Sequence, residues 1–248
     1  IVLDGKAGVE VGAELAWDKT TEAGIPKAFF INKSDDPDAH FEKVFEQLHE
    51  QFGAAVCPVL VPYKDGKNVY FLNLIERKAY SFDAKGSRTA SDFDAKMEEI
   101  ASQYTDTLSE ALASTSEELL DKYFEEGEIS QEESVEALHQ GIIDGSIVPV
   151  FSGSAVNLWG ITFLLDTIAD SFPRPTAKKV EKIIDGDGYK DIAIDPDGEP
   201  AIFVFKTIAD PFVGKMSFFK VMSGKLTNEM TLKNTTTGAA EKMAHIYT

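Results

Sequence analysis

The chain has 248 residues, of which 43% are hydrophobic, and a formal net charge of −18. This content allows one or two globular domains. The sequence has no apolar run of about 18 residues, so no membrane span is predicted. It has no basic segment leading into an apolar stretch, so no signal peptide is predicted. The acidic charge excludes a broad nucleic-acid-binding surface, because such surfaces need clustered Lys and Arg. A cytoplasmic protein is therefore expected.

The cysteine and histidine content predicts neither a disulfide nor a zinc site. Cys57 is the single cysteine, so no disulfide can form within the chain. The histidines are too scattered to suggest a zinc site. They are His40, His49, His139 and His245. No metal site is predicted.

The first 53 residues alternate short apolar runs with helical patterns. Strands are predicted at 1–3 and 28–31, with a helix at 9–23 between them. A second helix, from Asp38 to Phe52, has an apolar stripe at three- and four-residue spacing. The order of strand, helix, strand and helix predicts an α/β domain with a parallel sheet.

The pattern changes between residues 54 and 145. Residues 58–82 are rich in β-forming residues around Asp65-Gly66, which predicts a hairpin. Three helical stripes follow, and the last begins with Ser130 and Glu133 at the spacing of a capping box. This segment is predicted to be an inserted α+β subdomain.

The first pattern returns at 146–176, with a buried strand at 147–151 and a helix that Pro173-Arg174-Pro175 ends. Residues 177–199 are polar, with turn clusters at 185–188 and 195–198, and are interpreted as a linker. Residues 200–248 contain four short strands and predict part of an all-β barrel. Because both ends fall in strand-like runs, the chain is expected to be an internal piece of a longer protein.

The motif Asn32-Lys33-Ser34-Asp35 directly follows the predicted strand 28–31. Guanine presents two adjacent N–H donors on one edge, and the Asp35 carboxylate can accept from both. The Lys33 stem can cover the purine face, and Asn32 can brace the loop. Alternatively, the loop only caps the next helix. Its position at the carboxyl end of a strand favours a ligand site.

A second short loop, Gly153-Ser154-Ala155, follows the predicted strand 147–151. A backbone N–H of Ser154 or Ala155 can donate to the guanine carbonyl, and small residues allow close approach. By itself this sequence is typical of a common turn. The two motifs at matching strand ends together predict a guanine-binding site.

These two motifs resemble the guanine-specificity motif and the second base-contacting loop of GTPases. Residues 1–52, including Asp4-Gly5, are similar to elongation factor G, and 54–145 is similar to the insertion in its GTP-binding domain. Residues 210–226 resemble the start of its second domain, although Lys220 replaces the usual arginine and Ser34 the usual methionine. The resemblance implies a P-loop-type GTPase sheet with its insertion, followed by a β-barrel.

The resemblance also implies GTP or GDP as the ligand, Mg²⁺ in the intact protein, and hydrolysis coupled to translocation on the ribosome. No G-x-x-x-x-G-K-[ST] motif occurs in the chain. The phosphate, magnesium and catalytic residues are therefore expected before Ile1, and the chain alone is expected to be inactive.

Two alternatives stay open. Ribosome-protection proteins and peptide release factor three share the guanine site and the barrel. A non-catalytic protein-interaction module is the second alternative, since folds alone do not fix function.

The segment 92–136 contains fifteen acidic residues and only two basic ones, Lys96 and Lys122. One interpretation is a solvated helical face that keeps the protein soluble. The resemblance implies another, a contact between this acidic insertion and the stalk protein of the large ribosomal subunit.

Overall fold

The computed structural model describes residues 1–174, 177–185 and 188–247. Its backbone divides into two compact units, one ending at Pro173 and the other beginning at Arg174. The predicted helix stop at Pro175 and the centre of the predicted turn cluster 185–188 lie outside the described residues. In the described part of the chain, no helix is both long and apolar enough to span a membrane.

The first unit has six helices and eight strands in its described residues. They are β1 (Val2–Asp4), α1 (Val11–Glu22), β2 (Phe29–Asn32), α2 (Phe41–Phe52), β3 (Val56–Pro58), β4 (Leu60–Asp65), β5 (Asn68–Asn73), β6 (Lys78–Phe82), β7 (Arg88–Asp92), α3 (Ala95–Ala113), α4 (Glu117–Glu126), α5 (Gln131–Asp144), β8 (Val148–Ser152) and α6 (Ile161–Ser171).

Four strands form a parallel sheet in the order β1-β2-β8-β3, which confirms the predicted α/β class. The central strands β2 and β8 are buried, and Phe29 and Val150 have no exposed surface. Strands buried on both faces have continuous apolar sequences, which explains why neither strand shows alternation. The register pairs Ile31 with Ser152, so the two strands end side by side.

Helix α2 covers the sheet with the predicted apolar stripe, and Gly53 ends it at φ 87°. Phe41, Val44, Phe45 and Leu48 are buried along this stripe. Each such side chain stabilises the fold by about 1.5–3 kcal/mol. Helix α3 packs here too, because the Tyr104 ring lies 5.7 Å from the Phe41 ring and 5.9 Å from the Phe45 ring.

The segment predicted as an insertion has an antiparallel sheet in the order β4-β5-β6-β7 and the three helices α3, α4 and α5. The hairpin at Asp65-Gly66 is confirmed, as is the capping box of Ser130 and Glu133. The predicted boundary at residue 54 differs from the structure, because β3 still belongs to the parallel sheet. A strand of three residues is too short for its sequence to show which sheet it joins.

The second unit is all antiparallel β in its described residues. Its hairpins pair β9 (Val180–Asp185) with β10 (Gly188–Ala193), β11 (Ala201–Asp210) with β12 (Gly214–Ser223), and β13 (Thr231–Lys233) with β14 (Ala240–Lys242). The all-β prediction is confirmed, and closure into a barrel stays a prediction.

The linker predicted at 177–199 is wrong for residues 180–185 and 188–193, which pair as the strands β9 and β10. Its polar composition concealed two short stretches, 180–185 and 188–193, that each contain isoleucine among charged residues. A turn cluster between two such stretches is itself a hairpin signal.

Candidate functional site

The two predicted motifs meet at the carboxyl end of the parallel sheet. The Ser34 N–H donates to the Gly153 carbonyl at 2.9 Å, and the Gly153 N–H donates to the Ile31 carbonyl at 3.0 Å. The Ala155 N–H donates to Asn32 Oδ1 at 2.9 Å. The structure thus joins two loops that lie more than a hundred positions apart in sequence. We call residues 32–36 the first base loop and residues 153–159 the second base loop.

Asn32 ends β2, and its side-chain oxygen braces the second base loop. Its backbone carbonyl accepts from the Gly5 N–H at 2.9 Å, so the same residue also connects to the loop after β1. A Cβ on Gly5 would lie 2.7 Å from that carbonyl oxygen, which leaves no space for a side chain. Asn32 therefore fixes three chain segments relative to one another.

Lys33 has a left-handed backbone, with φ 68°. Its Nζ donates to Asp4 Oδ2 at 2.6 Å, and Asp4 Oδ1 accepts from the Lys6 N–H at 2.9 Å. The hydrogen bond from the Lys33 ammonium is the main cause that lowers the pKa of the Asp4 carboxyl. The same contact raises the pKa of Lys33. Asp4 thus anchors the Lys33 ammonium while the lysine side chain stays half exposed.

Sequence analysis did not identify Asp4 as a site residue. The available signal was its position at the carboxyl end of β1, the same edge of the sheet at which both motifs lie.

Asp35 is exposed, and its carboxylate has no hydrogen-bond or ion-pair partner among the described residues. Its neighbours are engaged, since Asp36 Oδ1 accepts from the Asp38 N–H at 2.8 Å and Asp38 pairs with Lys6 at 2.6 Å. Of these three carboxylates, only that of Asp35 has no hydrogen-bond or ion-pair partner among the described residues.

The alternative interpretation of the first base loop was a helix cap. Helix α2 begins at Phe41, and its N-cap residue, His40, makes no side-chain cap hydrogen bond. None of Asn32, Lys33 and Asp35 caps α2, so their arrangement needs another explanation than capping.

The second base loop folds back on itself. The Ser154 N–H donates to the Trp159 carbonyl at 3.0 Å, and the Trp159 N–H donates to the Ser154 carbonyl at 2.9 Å. Ser154 is fully buried, and its Oγ accepts from the Asn157 N–H at 3.2 Å. The structure therefore engages both predicted donors, because the Ser154 N–H faces Trp159 and the Ala155 N–H faces Asn32.

The next residue, Val156, is 87% exposed. Within the described residues its N–H meets no acceptor. Sequence analysis missed this group, because only the folded loop shows which amides are already paired. Val156 is thus an additional candidate donor to a ligand carbonyl, beside a shared Ala155 N–H.

Glycines fix the shape of the second base loop. A Cβ on Gly153 would lie 2.1 Å from the Trp159 carbonyl oxygen and 2.7 Å from the Phe30 ring. Gly160 has φ 73°, and a Cβ there would lie 2.3 Å from the Ser152 carbonyl oxygen. Real Cβ atoms do not approach this closely, so only glycine fits at both positions.

The described residues contain no group of three or more His, Cys, Asp or Glu side chains that could hold a metal ion. Mg²⁺ remains an expectation from the resemblance, and this chain's geometry assigns it no ligand.

The chain is similar to known proteins over most of its length. The family model of the elongation factor Tu GTP binding domain matches residues 1–174. The crystal structure of a protein from Thermus thermophilus is similar, with a TM-score of 0.75 and 25% sequence identity. The match covers 99% of this chain and 34% of that chain, so this chain spans about a third of the length of that relative. Because the family model covers more than half of its residues, the chain belongs to the family of the elongation factor Tu GTP-binding domain, among the translational GTPases.

Proposed function

We propose that the two base loops hold the guanine of GTP or GDP. The observation that supports this most is the pairing of the loops by three hydrogen bonds, with the Asp35 carboxylate left without a partner beside them. These bonds hold the backbone that carries Asp35, so this part of the chain has lost its conformational entropy before the ligand arrives, which favours binding.

Each group of the site has a counterpart on guanine. Asp35 accepts from the N1–H and the 2-amino group, a bidentate arrangement that strengthens charge-assisted hydrogen bonds. An N–H of Ala155 or Val156 donates to the 6-carbonyl, and the stem of Lys33 lies over the ring. Adenine has no N–H at position 1 and carries an amino group at position 6, so it leaves both contacts unsatisfied.

We further propose that the intact protein is a GTPase of the elongation factor G type. The order of the parts supports this, since the antiparallel sheet and three helices lie between the two base loops and an all-β unit follows them. Magnesium and the groups that act on the phosphates belong, in this proposal, to other parts of the intact protein. A translocation assay with purified ribosomes tests the subtype, and activity confined to releasing peptide release factors would assign the protein to the alternative.

The test of base recognition is Asp35→Asn in the intact protein. Xanthine replaces the 2-amino group of guanine with a carbonyl, which a carboxylate repels and an amide N–H₂ satisfies. We expect weaker GDP binding and improved relative binding of xanthosine diphosphate, a swing of about 2–3 kcal/mol. Competition titration of the two nucleotides measures it.

The matched control is Asp36→Asn. It makes the same change of charge one residue away, and the new amide oxygen can still accept from the Asp38 N–H. We expect its base preference to equal that of the unmutated protein. An equal preference in both variants would show that Asp35 does not read the base.

A partner surface is proposed on α4. Glu117, Glu118, Asp121 and Glu125 are exposed there. Lys122, the only cation on this helix, is already paired with Glu133 at 2.7 Å. Phe124 is 77% exposed on the same helix, a position in which an aromatic side chain can anchor a contact. We propose that this acidic face of α4 meets a basic face of the ribosomal stalk protein.

Charge complementarity of this kind raises association rates and makes them fall with salt. We expect charge reversal at Glu117, Glu118, Asp121 and Glu125 to reduce stalk-dependent GTPase stimulation in the intact protein, more at low than at physiological salt. Stimulation with unchanged rate and unchanged salt dependence would mean that these carboxylates only solubilise the helix.

A further inference from the structure

The turn between β6 and β7 contacts the second base loop. A Cβ on Gly86 would lie 2.8 Å from Leu158 Cβ and 3.2 Å from the Leu158 carbonyl oxygen, so the glycine backbone lies directly against this residue. The antiparallel sheet thus reaches the loop that offers N–H groups to the proposed ligand.

This turn is internally fixed. Asp83 Oδ1 accepts from the N–H groups of Lys85 at 2.8 Å and Ser87 at 2.9 Å. The Gly86 N–H donates to the Asp83 carbonyl at 3.0 Å. The hydrogen bonds from Ser87 and Lys85 also lower the pKa of the Asp83 carboxyl. A turn with these internal hydrogen bonds is rigid enough to support the residues that pack against it.

The second base loop depends on outside support. Leu158 has φ 59°, a left-handed conformation that a branched side chain keeps only when its surroundings impose it. Next to it, the Trp159 ring lies 6.2 Å from the ring of Phe71 on β5. Leu158 therefore contacts the β6–β7 turn and Trp159 contacts β5, two parts of the same antiparallel sheet.

The helix that follows the loop is attached to the same sheet. Arg88 Nη1 donates to Asp166 Oδ2 at 2.9 Å, and its guanidinium lies 4.5 Å from the centre of the Phe163 ring. The ring of Tyr80 lies 4.6 Å from that of Phe163 in an edge-on arrangement. The sheet holds α6 as well as the loop before it.

From these contacts we propose that the antiparallel sheet β4–β7 positions the second base loop for the guanine 6-carbonyl, with Gly86 and Leu158 as the positioning residues. The inference rests on the proposed guanine site and adds to it a mechanical connection to the inserted segment. Displacement of the 83–87 turn is expected to act first on the loop's N–H donors, because no hydrogen bond joins Asn32 or Asp35 to the turn among the described residues. The first base loop is reached through its own hydrogen bonds to Gly153 and Ala155.

Comparing GDP with two analogues distinguishes the contact of Asp35 from that of the loop donors. Inosine diphosphate lacks the 2-amino group and reports on Asp35. 6-Thioguanosine diphosphate keeps that amino group but carries sulfur, a larger atom and a weaker acceptor, at position 6, and it reports on the loop donors. The affinity ratio of GDP to each analogue therefore measures one loop at a time.

The test variant is Gly86→Ala in the intact protein, because its new Cβ has to displace Leu158. The matched control is Gly66→Ala in the β4–β5 turn, where φ is 61° and a Cβ meets nothing within 4 Å. Both substitutions strain a left-handed backbone, but only the first reaches the loop. We expect Gly86→Ala to bind GDP about tenfold more weakly and to reduce the ratio of GDP to 6-thioguanosine diphosphate affinity. The ratio to inosine diphosphate and all values for Gly66→Ala should stay unchanged.

Each outcome decides one of the two proposals. If the unmutated protein does not discriminate between GDP and either analogue, the proposed guanine site is wrong. If it does discriminate and Gly86→Ala matches Gly66→Ala, the positioning role is wrong.

If thermal denaturation shows that Gly86→Ala does not fold, Arg88→Gln replaces it as the test. Its control is Arg77→Gln, since Arg77 also combines an ion pair, with Glu98 at 2.6 Å, and a ring contact, with Phe93 at 5.9 Å, away from the loop. We expect Arg88→Gln alone to reduce the ratio of GDP to 6-thioguanosine diphosphate affinity. An equal ratio in these two variants overturns the inference.

Discussion

The two base loops lie side by side but are held in different ways. The first carries ion pairs at its surface in addition to its hydrogen bonds, since Lys33 pairs with Asp4 at 2.6 Å and, just after the loop, Asp38 pairs with Lys6 at 2.6 Å. The second depends on backbone pairing between Ser154 and Trp159 and on glycine at 153, where no side chain fits. Exposed ion pairs contribute little to stability, whereas overpacking a fixed backbone is costly. We infer that packing sets the geometry of the site, and that the charged side chains can be changed with little loss of stability.

The largest effect is expected at the packed loop. Gly153→Ala places a methyl group 2.1 Å from the Trp159 carbonyl oxygen, so the loop has to move. We expect the free energy of unfolding to fall by about 3 kcal/mol. Urea denaturation followed by the fluorescence of Trp17 and Trp159 measures this.

The control for that experiment is Gly12→Ala in α1, where a Cβ meets nothing within 4 Å. Alanine favours a helix over glycine, so this variant should be slightly more stable, by about 0.5–1 kcal/mol. A loss below about 1 kcal/mol for Gly153→Ala would contradict the view that packing sets the second loop.

An intermediate effect is expected where the loops join. Asn32→Ala removes the acceptor of the Ala155 N–H and should cost about 1 kcal/mol, because water can replace the lost partner at this exposed amide. Hydrogen exchange of the Ala155 amide should become faster. Asn32→Asp keeps an oxygen in place and should retain most of the protection. Equal exchange in all three proteins would show that the side chain does not connect the loops.

The smallest effect on stability is expected for the charges. Lys33→Met removes the ion pair with Asp4. Because the Lys33 side chain is 52% exposed and that of Asp4 is 30% exposed, solvent screens the pair, and we expect little change in the free energy of unfolding. The pKa of Asp4, now below its ordinary value of 3.8, should return toward that value. A group with a lowered folded pKa contributes stability above its unfolded pKa and loses it as the pH falls through the folded pKa.

The pH effect of this pair is therefore confined to pH values below about 4. A carboxyl titration by NMR of both proteins measures it, with Asp83 as the internal control, since its pKa is lowered by its own turn. A pKa of Asp4 that is the same with and without Lys33 would contradict the assigned cause.

Sequence reasoning located both motifs because each follows an uninterrupted buried run, 29–31 and 148–151, whose end is visible without the fold. The same reasoning found the helices whose apolar stripes are long. It could not find the ion pair of Lys33 with Asp4, because those residues are 29 positions apart and share no periodic pattern.

Sequence patterns also do not show which backbone N–H groups already have an acceptor in the folded protein. The sequence shows small residues at 154 and 155 but not that Trp159 accepts one N–H and Asn32 the other. The contact of Gly86 with Leu158 is similarly long-range. Many turns contain glycine, so the sequence around Gly86 does not reveal which surface this turn contacts.

Strand β3 has a practical consequence for protein engineering. The Val148 N–H donates to the Ala55 carbonyl at 2.8 Å, the Val59 N–H donates to the Val150 carbonyl at 2.9 Å, and the Ser152 hydroxyl donates to the Leu60 carbonyl at 2.8 Å. A minimised variant cut at residues 54 and 145 would turn β8 into an edge strand and leave buried polar groups without partners. A shortened variant should therefore keep residues 1–61. It then retains β3 and the Leu60 carbonyl, so β8 stays paired on both sides.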